Sequence, residues 1–371
     1  VPAPLSVVSP DDQKVTFVEL FFDLVFVFCI TQVVGLLHGH IDLHSAGSAL
    51  LVFWLVWWAW TQFTWALNAA NTEDPKVRMV TLLATAIAFF LAVGIPHAMG
   101  EGALAFAVPY VLVRTVGLVL YYWVASADPE QRRAVLVFGS LSGTGLVAVL
   151  IGAAAGGAAQ YGWWTAAIAL DLVAAGVGGR REGWNLHPDH FCERHGLIVI
   201  IALGEALIVA AAGLTEALDQ PAAIATAILA VAVTGGLWWV YFGHVRTAFE
   251  HALAHAQGQA RSELGRDAFS VLHFPLLCGV IAMAAATEVA LAHPHDPLAP
   301  DVRAALGVGA VLYVCGAAAA IWRASGAVLW WRLLLAPVFA ILVIAIGGPP
   351  WLSMSIILAM LVAVAAVERG R

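Results

Sequence analysis

The sequence predicts an all-α integral membrane protein of about twelve transmembrane helices arranged as two parallel six-helix repeats. Three observations predict it. Hydrophobic residues make up 62% of the chain and charged residues 11%, with a mean hydropathy of +0.89, proportions foreign to a soluble domain. Apolar stretches of the length needed to cross a bilayer, about 20 residues, recur along the whole chain. The cations are one-sided: fifteen of the seventeen Lys and Arg fall on one face of the layout, leaving Arg303 opposite and Arg114 mid-span. That asymmetry places both termini in the cytoplasm. A net charge of −7 adds little in so apolar a chain.

The predicted spans, in order, are residues 16–38, 46–67, 78–97, 102–125, 133–153, 159–178, 193–214, 221–245, 268–290, 302–322, 329–347 and 350–368. The first reads VELFFDLVFVFCITQ near its start and carries Glu19 and Asp23 four apart, stacked on one helical face. The second holds Trp57 to Trp60 (WWAW), and Arg78 opens the third. The fourth carries Arg114 and ends WVAS (Trp123 to Ser126), the fifth is rich in small residues, and the sixth contains Asp171. The hydrophilic stretch Gly178 to His195 has the turn residues and charge of a cytoplasmic linker. It divides the chain into a first repeat, 1–178, a linker, 179–192, and a second repeat, 193–371.

The second half echoes the first. Glu193 opens span seven as Glu19 opens span one, and span eight holds WWVY (Trp238 to Tyr241). Arg266 precedes span nine, and span ten ends WRAS (Trp322 to Ser325). Six spans per half make the repeats parallel, related by an axis along the membrane normal. Later spans are dominated by Ala, Gly and Leu, as expected where helices approach closely. Several of the fifteen tryptophans, among them Trp123, Trp163, Trp238 and Trp351, sit near span ends as interfacial anchors. The 246–266 segment reads as a cytoplasmic helical extension. The four cysteines, Cys29, Cys192, Cys278 and Cys315, read as small hydrophobes rather than a disulfide framework. No cleavable signal peptide is visible.

Buried charge is the functional signal. An ionisable residue inside a bilayer is costly and marks a pathway or a protonatable site unless it serves only to fix helix register. Asp23 lies roughly 12 Å into span one at 1.5 Å per residue. Arg114, Asp171 and Glu205 sit at comparable depths, which invites pairing between them. Gln32, Gln62 and Asn68 add polar groups whose ordinary role is interhelical hydrogen bonding.

Twelve of the thirteen histidines form two groups. The outer one is His38, His40, His44, His97, His293 and His295. The inner one is His187, His190, His195, His244, His251 and His255, with Cys192 and Glu193 nearby. These inner histidines are the candidate metal ligands, although loop histidines are usually solvated. No other cofactor is predicted, and Ser140 and Ser142 have no neighbouring histidine in sequence. Walker, Rossmann and HExxH signatures are absent, as are basic stripes for nucleic acid.

The segments VELFFDLVFVFCITQ, WWAW…ALNAANTED, HFCERHGLIVIIALGEALIVA, LWWVYF and LHFPLLCGVIAMAAATE resemble the bacterial low temperature requirement A (LtrA) family. The resemblance runs from Thr16 to Glu288 and weakens over the last three spans. It carries the family's polar positions onto Glu19, Asp23, Gln32, His190, Glu193, Arg194, Glu205, His273 and Glu288. Family members often continue WWxYF with an acid, where this chain has Gly243 after Phe242. A second resemblance links ELFFDLVFVFCIT and FLAVGIPHAM to the lysosomal and bacterial potassium-leak channels, whose first helix carries Phe-Ser-Asp. Phe22 stands at the serine position and the preceding arginine is missing, so a potassium pore does not transfer.

The leading expectation is permeation or transport of a small ion or solute along a polar path lined by buried carboxylates. The alternative is an integral-membrane enzyme acting on a lipophilic substrate, with metal at the inner histidines. Expected partners are membrane lipids and the small ion or solute, with a homo-oligomer left open and no nucleic acid.

Overall fold

A computed structural model describes residues 7–10, 13–39, 41–178, 184, 186–215 and 217–369. His40, residues 179–183 and 185 of the predicted linker, and the last two residues lie outside that description.

The described residues form twelve long helices. They are α1 (Phe17–Gly35), α2 (Leu43–Ala69), α3 (Pro75–His97), α4 (Ala103–Ala125), α5 (Pro129–Ala155), α6 (Gly157–Gly178), α7 (Pro188–Thr215), α8 (Pro221–His255), α9 (Gly258–Ala292), α10 (Pro300–Ser325), α11 (Trp330–Ala345) and α12 (Pro350–Arg369). Six of them start on proline, whose fixed φ and missing N–H suit the first helical position. Aspartates complete some of these starts. Asp74 accepts from the backbone of Lys76 and Val77, and Asp128 from Glu130. Asp42 accepts from the Ser45 backbone N–H at 2.7 Å. That bond holds its carboxyl below the usual aspartate range. Gly326, at φ 73°, closes α10 in the left-handed conformation that glycine adopts without steric cost.

Ten of the twelve helices are long and apolar enough to cross a membrane. The two that fall short of their predicted spans do so for different reasons. In α6, Gln160, Tyr161, Trp163, Trp164 and Asp171 dilute the apolar character, while α11 has only 16 residues. Large apolar side chains such as Phe21, Leu24, Leu83, Phe90, Leu334 and Ile341 are exposed on the helices. That is the inverse of a water-soluble surface and suits a hydrocarbon solvent.

The helices pack as two compact units that interleave in sequence. One is built from Val1–Val33, Ser48–His195 and Leu253–Arg266, the other from Val34–Gly47, Gly196–Ala252 and Asp267–Arg371. In the first unit α3, α4, α5 and α6 pack in succession. Its core is α2, whose Trp57, Trp58, Trp60, Phe63 and Leu67 are buried. In the second unit α8, α9, α10, α11 and α12 form a closed ring of neighbours. The tightest crossing there is at Gly279 of α9 and Gly309 of α10. A Cβ on Gly279 would lie 2.5 Å from the Gly309 carbonyl oxygen, so only glycine fits.

The segment 246–266 is helical, as expected. It is made of the end of α8 and the start of α9, and residues 253–266 belong to the first unit. Arg261 donates to the Leu186 carbonyl there. Both long helices widen into π-helical turns, α8 at Tyr241–Val245 and α9 at Gly265–Val271.

Candidate functional site

The first unit buries a carboxylate pair on α1 against one arginine from α7. Glu19 sits in the first turn of α1 because Thr16-x-x-Glu19 forms the reach-back half of a capping box. Its Oε2 accepts from both the backbone N–H and the hydroxyl of Thr16 at 2.9 Å. Its Oε1 accepts from Arg194 Nη1 at 2.8 Å and lies 2.9 Å from His190 Nε2. Three hydrogen bonds therefore hold Glu19, with His190 beside it, and its side chain is inaccessible to solvent.

Asp23 is one turn further along and equally buried, but its surroundings are lopsided. Oδ1 accepts from Arg194 Nη2 at 2.7 Å and from Trp60 Nε1 at 2.8 Å. Oδ2 is enclosed and has no hydrogen-bond partner among the described residues. Arg194 thus bridges two carboxylates instead of gripping one bidentately. It also lies over the Trp60 ring, 5.7 Å from the centroid, where the π face favours a cation.

His190 is held in a defined tautomer. The amide oxygen of Asn68 accepts from the His187 backbone N–H at 2.8 Å, and its Nδ2 donates to the His187 carbonyl at 3.1 Å. The amide's orientation is therefore set, and the same Nδ2 points at His190 Nδ1, 3.0 Å away. An N–H can only donate, so His190 Nδ1 must accept and the ring proton resides on Nε2, facing Glu19. A second proton on Nδ1 would collide with the Asn68 donor. His195, which stands edge-on to Trp60, gives its Nδ1–H to the Phe191 carbonyl at 2.9 Å.

A second buried pair in this unit has a different stoichiometry. Arg114 binds Asp171 bidentately at 2.9 and 3.0 Å. It also donates to the Tyr110 hydroxyl at 2.6 Å, to Gln62 and to Ser142. Ser142 in turn donates to Asp171 Oδ1 at 2.6 Å. One cation meets one anion, and its donors are taken up.

The second unit also pairs one arginine with one acid, with Arg332 Nη1 buried and without a hydrogen-bond partner among the described residues. Arg332 grips both oxygens of Glu368 at 2.6 and 3.0 Å and donates to the Val240 carbonyl, at the residue just before the π-turn of α8. Trp331 Nε1 adds a bond to Glu368 at 3.0 Å. His273 is also buried and satisfied. Its Nδ1 donates to the Ala268 carbonyl in the π-turn of α9, and its Nε2 accepts from the Tyr241 hydroxyl, both at 2.8 Å.

The expected residues therefore separate. Glu19, Asp23, Arg194, His190 and Asn68 converge, and Arg114 meets Asp171 with Gln62. Glu193 is exposed, taking only a 3.5 Å contact from the Val15 backbone. Gln32 is half-buried on α1, and Glu205 is buried on the part of α7 that lies in the second unit. Glu288 meets the exposed His38 at 2.8 Å. The outer histidines 44, 97, 293 and 295 are exposed.

Of the candidate metal ligands, His187 bonds Ser9 at 2.6 Å, His244 lies 3.6 Å from Glu368, and His251 and His255 are exposed. Among the described residues no three His, Cys, Asp or Glu side chains form a group suited to a metal ion. Gly243 is exposed, with only ordinary contacts for an added Cβ, to Trp239 at 3.5 Å.

Sequence reading missed Arg332–Glu368, Tyr110, Ser142 and the role of Arg194. Arg194 and Arg332 read as rim cations because both fall within a turn or so of predicted span ends. The usable signals were the Thr16-x-x-Glu19 spacing and an acid, Glu368, at the very end of an otherwise apolar last span.

Comparison with known proteins gives two findings. A sequence model described as "Bacterial low temperature requirement A protein (LtrA)" matches residues 14–367, so the similarity extends through the last three spans. The chain is also 28% identical over 324 residues to the uncharacterized protein RA0937 of Rhizobium meliloti (strain 1021), covering 83% of this chain and 77% of that protein. No solved structure matches this chain.

Proposed function

Since this chain belongs to the bacterial LtrA family and is a multi-pass membrane protein with buried charged residues, we propose that it mediates permeation or transport of a small ion or solute through a polar path lined by buried carboxylates. The observation that carries this reading is the unequal charge on α1 and α7. Two buried carboxylates share one arginine, and one carboxylate oxygen is left without a partner. A register device needs no surplus charge, and the other two buried arginines have none: Arg114 and Arg332 each meet a single acid in a bidentate grip. Surplus ionisable groups inside a membrane protein are characteristic of ion and proton pathways.

The test is reconstitution of the purified protein into phospholipid vesicles, with dyes reporting proton, alkali-cation and small-anion movement. A permeability above that of protein-free vesicles, reduced by Glu19→Gln, is the expected result. Vesicles as tight as protein-free ones to all three would contradict the reading.

A further inference from the structure

We propose that Asp23 carries a proton on Oδ2, which makes the Glu19–Asp23–Arg194 cluster a proton-binding site. Resting on the transport reading above, the proton is then the ion whose movement this site serves. The argument is one of charge and of donors. The charge of the cluster is set by Glu19, Asp23 and Arg194. Glu19 receives two donors from Thr16, one from Arg194 and the Nε2–H side of His190, an environment that favours the ionised form. Arg194 is a permanent cation. His190 turns its acceptor Nδ1 to the Asn68 amide, and His195 gives its Nδ1–H to the Phe191 carbonyl. With both acids ionised the cluster would be anionic by one unit. One added proton brings it to neutrality.

Geometry decides where that proton goes. Both oxygens of Glu19 are occupied by donors, and so is Asp23 Oδ1, which accepts from Trp60 and Arg194. Asp23 Oδ2 alone has no donor facing it. An enclosed carboxylate oxygen with no donor is costly as an anion, whereas a neutral hydroxyl in the same place costs much less.

The same inventory selects against a metal cation. Calcium takes six to eight oxygen ligands and magnesium a near-octahedral set, and potassium filters use rings of carbonyls. The groups bonded to Asp23 are N–H donors from Trp60 and Arg194, one of them itself a cation. A proton needs a single oxygen, and Oδ2 supplies it.

The test is infrared spectroscopy of the full-length protein in detergent at neutral pH. Wild type should show a protonated-carboxyl stretching band that shifts on exchange into deuterated water and is missing in Asp23→Asn. Because Asn is a neutral near-isostere of protonated Asp, that variant should unfold at the wild-type temperature. In Asp23→Glu the band should persist. In Glu19→Gln, where Arg194 is freed to neutralise Asp23, the band should appear only at lower pH. Absence of the band in wild type, or its survival in Asp23→Asn, overturns the proposal. Alkali-cation flux without the band would leave the transport reading standing and defeat this inference. The band without any flux would do the reverse.

Discussion

Arg194 is the residue on which the buried carboxylates of α1 depend. Replacing it by Gln leaves the ionised Glu19 enclosed without a counter-charge, and breaking a buried pair this way costs about 3–5 kcal/mol. Thermal unfolding in detergent, followed by tryptophan fluorescence, should show a large fall for Arg194→Gln and partial recovery in the double variant Arg194→Gln/Glu19→Gln. Absence of recovery would mean that the two side chains do not share one electrostatic unit. At this scale the sequence was partly legible. Glu19 and Asp23 stand out because acids are rare in apolar segments, and their spacing of four places them on one face. The partner was hidden because Arg194 lies near the predicted start of span seven, where arginines usually reach water. Only the packing of α7 against α1 and α2 shows that it turns inward. Asn68, read as an ordinary polar residue, sets the tautomer of His190 through a contact between residues 122 apart, which no local pattern encodes.

Among the elements, the α9–α10 crossing makes the clearest demand on sequence. Gly279→Ala places a Cβ against the backbone of Gly309, which cannot rotate away, and such overpacking costs roughly 1–3 kcal/mol. Gly143 of α5 has open space around it, so Gly143→Ala should be neutral or stabilising by about 1 kcal/mol or less through helix propensity. Equal unfolding temperatures for the two variants would show that the crossing is looser than described. Helix existence and order were readable from apolar run length, whereas the starts at Pro75, Pro129 and Pro188 lie ahead of the predicted spans, since the first turns there are too polar to count as apolar run. The π-turns were not readable. Val240, just before the first, accepts from the distant Arg332, and Ala268, within the second, accepts from His273; neither contact leaves a periodic trace in the residues themselves.

For the whole molecule, twelve helices and the one-sided cations together predict that both ends of the chain face the cytoplasm. In a variant whose native cysteines are replaced, single cysteines at Lys14 and Arg369 should be shielded from an impermeant thiol reagent in intact cells, and one at Asp301 should react. Labelling of Lys14 and Arg369 on opposite sides would contradict that topology. The membrane character and family were legible because composition and motif order survive without any structure. The reaction was not, since it depends on which buried charges are neutralised, and charge pairing is a property of packing. The central claim is that the surplus carboxylate at Asp23 serves ion movement. It is tested most directly by flux through vesicles bearing Asp23→Asn beside wild type at equal protein density. The account predicts a fall of about tenfold or more, equivalent to a barrier raised by about 1.4 kcal/mol or more, with an unchanged unfolding temperature. Wild-type flux in a correctly folded Asp23→Asn protein would contradict it.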